Sequence, residues 1–95
     1  MARIPMNEKI NGFRVRVYDN PKYIDRYTVF YMDEHEGDRF YSCLAMNAIP
    51  LSPNFGFTQH SCGVPGKHTG RRILFADMPA DCQTVAMRDL EVPND

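Results

Sequence analysis

The chain has no tryptophan, no long apolar run and almost no net charge. Its 95 residues carry 11 Lys and Arg against 12 Asp and Glu, which gives a formal net charge of −1. A domain that coats duplex nucleic acid usually has a clear basic excess, so the charge balance argues against that class. No run approaches the roughly 18 consecutive apolar residues of a membrane span, so we expect no membrane partner.

Cysteine is scarce and odd in number, with Cys43, Cys62 and Cys82 as the only three. A short secreted chain held by disulfides favours an even set of cysteines. The first residues show neither the apolar segment nor the cleavage site of a secretory signal. We therefore expect three reduced thiols in a cytoplasmic protein.

The amino-acid composition is typical of a folded domain. Hydrophobic residues make up 43% and aromatic residues 12% of the chain. These fractions are typical of soluble globular domains, and they exceed what disordered segments contain. Because the length allows one hydrophobic core and little more, we expect a single domain over residues 1–95.

Hydrophobic periodicity predicts four strands and one helix. The strands are expected at residues 13–18, 26–32, 39–46 and 71–75, where apolar, aromatic and β-branched residues dominate. The helix is expected at residues 78–91, because one helical stripe contains Met78, Cys82, Val85, Ala86 and Leu90. The element order predicts an α+β fold, with a small antiparallel sheet of three to four strands, one C-terminal helix packed on one face and a long ordered loop.

The predicted loop, residues 47–70, is rich in proline and glycine and shows no sustained period. Loops longer than about 12–15 residues are uncommon in compact domains and tend to be functional. Two phenylalanines flank Gly56, and aromatic anchors are enriched at protein interfaces. We therefore predict a partner surface on this loop, with Phe55 turned toward the core and with contact residues Phe57, Gln59, His60 and Arg71.

Three other kinds of site are alternatives to this partner surface: a zinc site, a catalytic cysteine and an anion-binding loop. His60, Cys62 and His68 offer zinc-type ligands, but their spacing matches no established zinc pattern and the chain has no Cys-x-x-Cys. Cys62 beside a histidine offers a nucleophile, although so small a domain leaves little room for a substrate. Residues 63–69 form a glycine-containing segment that suits an anion without being a Walker motif. We expect no metal, no other cofactor and no catalysis.

A candidate nucleic-acid face is the remaining alternative. Arg14 and Arg16 alternate along the first predicted strand, and Arg26 precedes the second. Basic groups interleaved with aromatic rings suit single-stranded nucleic acid. The same arginines also suit a solvated sheet face on which they pair with Asp and Glu.

Several short motifs resemble a group of small, uncharacterised proteins encoded by bacteriophages, prophages and plasmids. The similarity covers residues 13–91 and is carried by Asp25-Arg26-Tyr27-Thr28-Val29-Phe30, Met46-Asn47, Pro50, Pro53, Gly56-Phe57-Thr58-Gln59-His60, Gly70-Arg71-Arg72-Ile73 and Phe75-Ala76-Asp77-Met78-Pro79-Ala80-Asp81-Cys82-Gln83. Small accessory phage proteins often bind a host protein or a component of a defence system, and steric inhibitors of CRISPR effectors are one known kind.

The resemblance implies a protein encoded by a phage or another mobile element and acting in the bacterial cytoplasm. We expect it to be non-catalytic and to bind and inhibit a host or defence-system protein. The alternative is an accessory module that binds nucleic acid, a phosphate or a metal.

Overall fold

The computed structural model describes residues 6–91, which form an antiparallel sheet and one α-helix. The elements are β1 (Glu8–Ile10), β2 (Phe13–Asp19), β3 (Tyr27–Glu36), β4 (Phe40–Met46), β5 (Thr58–Gly63), β6 (Arg71–Ile73) and α1 (Ala80–Glu91). The predicted α+β class and the single C-terminal helix are confirmed for this part of the chain. The prediction of three to four strands is wrong, because the sheet already has six strands within residues 6–91. Residues 1–5 and 92–95 of the predicted single domain lie outside the described range.

The strands follow the order β1-β2-β3-β4-β5, and β6 pairs with β2. β1 opposes the first half of β2 and β6 opposes the second half, so these two short strands share one edge of the sheet. β5 forms the other edge, where it pairs with β4. All of these pairings are antiparallel.

One end of the sheet gathers two loops and the start of β6. Asp19 pairs with both Tyr27 and Arg71, Tyr27 pairs with Met46, and Met46 pairs with Thr58. The β2–β3 loop (residues 20–26) and the β4–β5 loop (residues 47–57) therefore project from the same end. We call it the loop end of the sheet.

The main core lies between α1 and one face of the sheet. Alternate residues of β2, β3 and β4 point to this face, as the two-residue period of a strand requires. They pack against the predicted stripe of α1, in which Cys82 and Ala86 are buried and Val85 and Leu90 pack against the cluster; Met78, which precedes α1, is buried there as well.

The opposite face has a smaller buried cluster, formed by Tyr18, Phe30, Met32 and Cys43. Tyr18 and Phe30 meet edge to face with ring centroids 5.6 Å apart. The connection from β5 to β6 joins two opposite corners of the sheet.

The predicted loop at residues 47–70 is interrupted by β5, which the sequence analysis missed. Thr58–Cys62 is exposed throughout, so this edge strand lacks the apolar alternation that reveals half-buried strands. It is defined by its pairing with β4 instead. The ordered loop therefore consists of two shorter segments, residues 47–57 and 64–70.

The helix begins two residues later than expected. Phe75–Asp77 forms a 3₁₀ turn, and Met78 is extended with ψ 153°. Asp77 caps this turn rather than α1, because its Oδ2 accepts a hydrogen bond from the Leu74 N–H at 3.0 Å.

Candidate functional site

The β4–β5 loop is held in one conformation by the side chain of Asn47. Its Nδ2 donates to the Phe55 carbonyl at 2.6 Å, and its Oδ1 accepts from the Phe57 N–H at 3.1 Å. The backbone N–H of Asn47 also donates to the Phe57 carbonyl at 3.1 Å. One residue at the end of β4 therefore closes the whole loop.

Ser52 and Gly56 tighten the loop internally. The Gly56 N–H donates to the Ser52 carbonyl at 2.9 Å, and the Phe55 N–H donates to Ser52 Oγ at 3.3 Å. A Cβ on Gly56 would lie 2.4 Å from the Pro50 carbonyl oxygen and 2.6 Å from that of Ser52. Only glycine allows so close a backbone approach, which explains the glycine between Phe55 and Phe57.

This ordered loop presents large apolar side chains to solvent. Phe55 is 72% exposed, so the expectation that it turns toward the core is wrong. The loop is closed by hydrogen bonds to its backbone, and its phenylalanine is not needed as an anchor. Across the loop end the large apolar side chains that remain exposed are Tyr23, Ile24, Ile49, Leu51, Phe55 and Phe57. We call this set the apolar end surface.

The predicted contact residues are brought together only in part. Phe57 precedes β5, while Gln59 and His60 are adjacent within it and point to opposite faces. Arg71 lies at the same end of the sheet but on β6, at the opposite edge. Four strand spacings, roughly 19 Å, separate Arg71 from the start of β5.

His60 belongs to a polar network that links β5, α1 and β3. Its Nε2 lies 2.8 Å from Asp89 Oδ1, and the hydroxyl of Tyr31 donates to Asp89 Oδ2 at 2.5 Å. Burial, followed by the bond to the Asp89 carboxylate, raises the pKa of Tyr31 well above its usual range. The phenol therefore stays protonated and serves as a donor.

These three side chains line a cleft of about 270 Å³ between the end of α1 and the sheet. Glu34, Ser42 and Ser61 add polar groups to its wall, and Phe13 and Leu90 add apolar ones. Ligand pockets usually measure about 300–1,000 Å³, so this cleft falls just below that range.

The arginines of the candidate nucleic-acid face each have a polar partner. Arg14 Nε donates to Asp33 Oδ1 at 2.7 Å, and this guanidinium holds the pKa of the Asp33 carboxyl below its usual value. Arg16 Nε donates to the Asn7 side chain at 2.7 Å.

Arg26 stands apart from this pair. It binds both carboxylate oxygens of Asp19, at 2.6 and 3.1 Å, which raises the pKa of its guanidinium. Asp19 and Tyr27, which it also contacts, belong to the face that α1 covers, whereas Arg14 and Arg16 point to the other face.

The cysteines occupy three different environments. Cys43 and Cys82 are buried, and Cys62 is exposed on β5. Burial raises the pKa of the Cys82 thiol to about 11, and its Sγ lies 3.4 Å from the Asn47 carbonyl, to which it donates. Within residues 6–91, no three His, Cys, Asp or Glu side chains are placed to hold a metal ion.

Asn47, Tyr31 and Asp89 organise the site but are not among the residues predicted from the sequence. Tyr31 and Asp89 are 58 positions apart, and His60 and Asp89 are 29 apart. No local pattern links residues at such distances. Asn47 follows an apolar strand and precedes a proline-rich segment, which is the one signal that marked it as a turn residue.

Comparison with protein-family models, with curated proteins and with solved structures finds no match for this chain. The described part of the chain has no helix that is both long enough and apolar enough to cross a membrane.

Proposed function

We propose that this protein binds another protein through the apolar end surface, without catalysing a reaction, and inhibits its partner by covering it. The observation that carries the proposal is the exposure of Ile49, Leu51, Phe55 and Phe57 on a loop closed by hydrogen bonds. Large aromatic and aliphatic side chains are typical anchors of protein interfaces.

The ordered conformation of the loop favours specific binding to a partner over non-specific aggregation. A loop ordered before binding loses little conformational entropy when a partner covers it. Asn47, Ser52 and Gly56 supply that order through backbone contacts, which leaves the phenylalanines available for a partner.

The resemblance to phage and plasmid proteins suggests the class of partner. We propose a host or defence-system protein of a bacterial cell, a CRISPR effector being one example.

Nucleic acid is a weaker alternative on this structure. A phosphate would have to share the guanidinium of Arg14 with Asp33 and that of Arg26 with the buried Asp19. The neighbouring carboxylate offsets the positive charge of each guanidinium, which weakens its attraction for a phosphate.

Site-specific photo-cross-linking in a bacterial host tests the proposal. A photoreactive phenylalanine analogue at position 55 should give one discrete protein adduct. The matched control is the same analogue at Phe40, which is 49% exposed but starts β4 at the other end of the sheet. Absence of an adduct at position 55, or identical adducts at both positions, would refute the apolar end surface as the docking site.

The affinity of the chain for the partner identified by cross-linking then measures the contribution of Phe55. Phe55→Ala should weaken binding by about 30-fold or more, because interface anchors contribute roughly 2 kcal/mol or more. Phe40→Ala should leave the affinity unchanged. Adducts that contain nucleic acid instead of protein would favour the alternative.

A further inference from the structure

The cleft beside His60 carries charge of mainly one sign. The carboxylates of Glu34 and Asp89 line it, and no Lys or Arg of the described residues does. Arg88, which precedes Asp89 in the chain, lines a neighbouring cleft instead. The imidazole of His60 is the one basic group in the described wall, and its Nε2 lies 2.8 Å from Asp89 Oδ1. The cleft therefore favours a cation over an anion.

Both carboxylates act on the same part of the cleft. Burial is the largest cause of the raised pKa of Tyr31, the hydrogen bond to Asp89 follows, and the charges of Asp89 and Glu34 add to it. Because Coulomb interactions weaken with distance, both carboxylates lie near this one hydroxyl. Asp89 and Leu90 also belong to the last turn of α1, where the helix dipole places partial negative charge. A cation in the cleft therefore meets three sources of negative potential.

Asp89 is held in position before any ligand arrives. Its Oδ2 accepts a hydrogen bond from the Tyr31 hydroxyl at 2.5 Å, while its side chain keeps 27% of its surface exposed. A carboxylate has about four acceptor positions, and the contacts with Tyr31 and His60 use one on each oxygen. The exposed part of Asp89 can therefore accept an N–H donor without first being reoriented, which lowers the entropy cost of binding.

The remaining wall limits the size and shape of a ligand. Phe13, which is 41% exposed, and Leu90 supply apolar surface on the opposite part of the lining. An aromatic ring also attracts a cation that lies over its face. The volume of about 270 Å³ is below that of pockets for drug-sized molecules, so the ligand has few heavy atoms. An ammonium group next to a short hydrocarbon chain matches both parts of this lining.

We propose that the cleft binds a small primary alkylamine, with the ammonium group between Asp89 and Glu34 and the alkyl group against Phe13 and Leu90. An ammonium group donates three hydrogen bonds and carries the complementary charge. An alcohol of the same length lacks that charge, and a carboxylate has the opposite one. The inference does not depend on the proposed function, because Phe13 lies at the end of β2 opposite to the loop end.

Titration of the full chain with n-butylammonium chloride at constant ionic strength, followed in two-dimensional amide NMR spectra, tests the proposal. The amides of Ser42, Ser61 and Leu90 should shift and reach saturation. A ligand with so few heavy atoms binds weakly, so we expect a dissociation constant of roughly 0.1–10 mM. Sodium butyrate and n-butanol should bind at least tenfold more weakly. Shifts that do not saturate below about 100 mM, or equal binding of butyrate, would overturn the proposal.

Glu34→Gln tests where the ammonium group lies. The change removes one charge and keeps the size of an exposed side chain, so the fold should be retained. The matched control is Asp38→Asn, which removes the same charge at an exposed position of the β3–β4 turn, outside the cleft. Glu34→Gln should weaken butylammonium binding by about threefold, as expected for an exposed ion pair, and Asp38→Asn should leave it unchanged. Equal affinities of the two variants would refute the placement of the ammonium group beside Glu34.

Discussion

Asn47→Ala is the most direct test of how the apolar end surface is built. The change removes the two side-chain hydrogen bonds to Phe55 and Phe57 and leaves the backbone bond of residue 47 in place. A typical hydrogen bond contributes about 0.5–1.5 kcal/mol net, and both of these lie near the surface. We therefore expect the free energy of unfolding to fall by about 1–2 kcal/mol.

The assay is chemical denaturation together with hydrogen exchange. In a domain of this size the loss corresponds to a fall in Tm of roughly 5–15 °C. The Phe57 amide should exchange faster than in the wild type. The exchange rates of the β2 and β3 amides should rise only as far as the lower free energy of unfolding requires. Partner binding should weaken as well, because the loop would have to be ordered at the moment of binding.

Asn54→Ala is the matched control. Asn54 is an exposed asparagine of the same loop, and its side chain makes no hydrogen bond within the described residues. It should change stability by less than about 0.5 kcal/mol. If Asn47→Ala and Asn54→Ala were equally stable and their loop amides exchanged alike, Asn47 would not close the loop.

Three further predictions concern other parts of the fold. Gly56→Ala should destabilise by about 1–3 kcal/mol in thermal melts, because its Cβ would meet the Pro50 carbonyl; a stability equal to that of the wild type would show that the loop relaxes freely. Tyr31→Phe should cost about 1.5–3 kcal/mol, since a hydrogen bond to a carboxylate is lost, and a double-mutant cycle with Asp89→Asn should show coupling, whereas additive effects would argue against the bond. The raised pKa of Cys82 favours the protonated thiol in the folded state, so stability should fall as the pH rises from about 9 to about 11, by up to about 1.4 kcal/mol per pH unit from this group; in Cys82→Ser the slope should be shallower, and an unchanged slope would assign it to other groups.

The contact between His60 and Asp89 joins the C-terminal end of α1 to the edge strand β5. Asp89 accepts from the buried phenol of Tyr31 and contacts an imidazole that is largely in solvent. The carboxylate therefore connects three elements that follow no common sequence motif. These hydrogen bonds hold α1 against β5 and also shape the cleft beside them.

Local periodicity in the sequence was sufficient for the elements that bury a face. The helical stripe predicted the core side of α1, and the aromatic and β-branched runs predicted β2, β3 and β4. These signals are strong because a buried face must be apolar at each turn of a helix or at every second residue of a strand. The α+β class follows from the order of such elements.

Tertiary structure alone decided the edge strands β1 and β5, the direction of Phe55 and the network around Asp89. β5 needs only backbone pairing with β4, so its side chains are under no pressure to alternate, and no periodicity marks it. Phe55 is exposed because hydrogen bonds from Asn47, rather than an apolar anchor, close the loop. Such contacts join residues far apart in the chain, and their free energy depends on three-dimensional distance, which local composition does not encode.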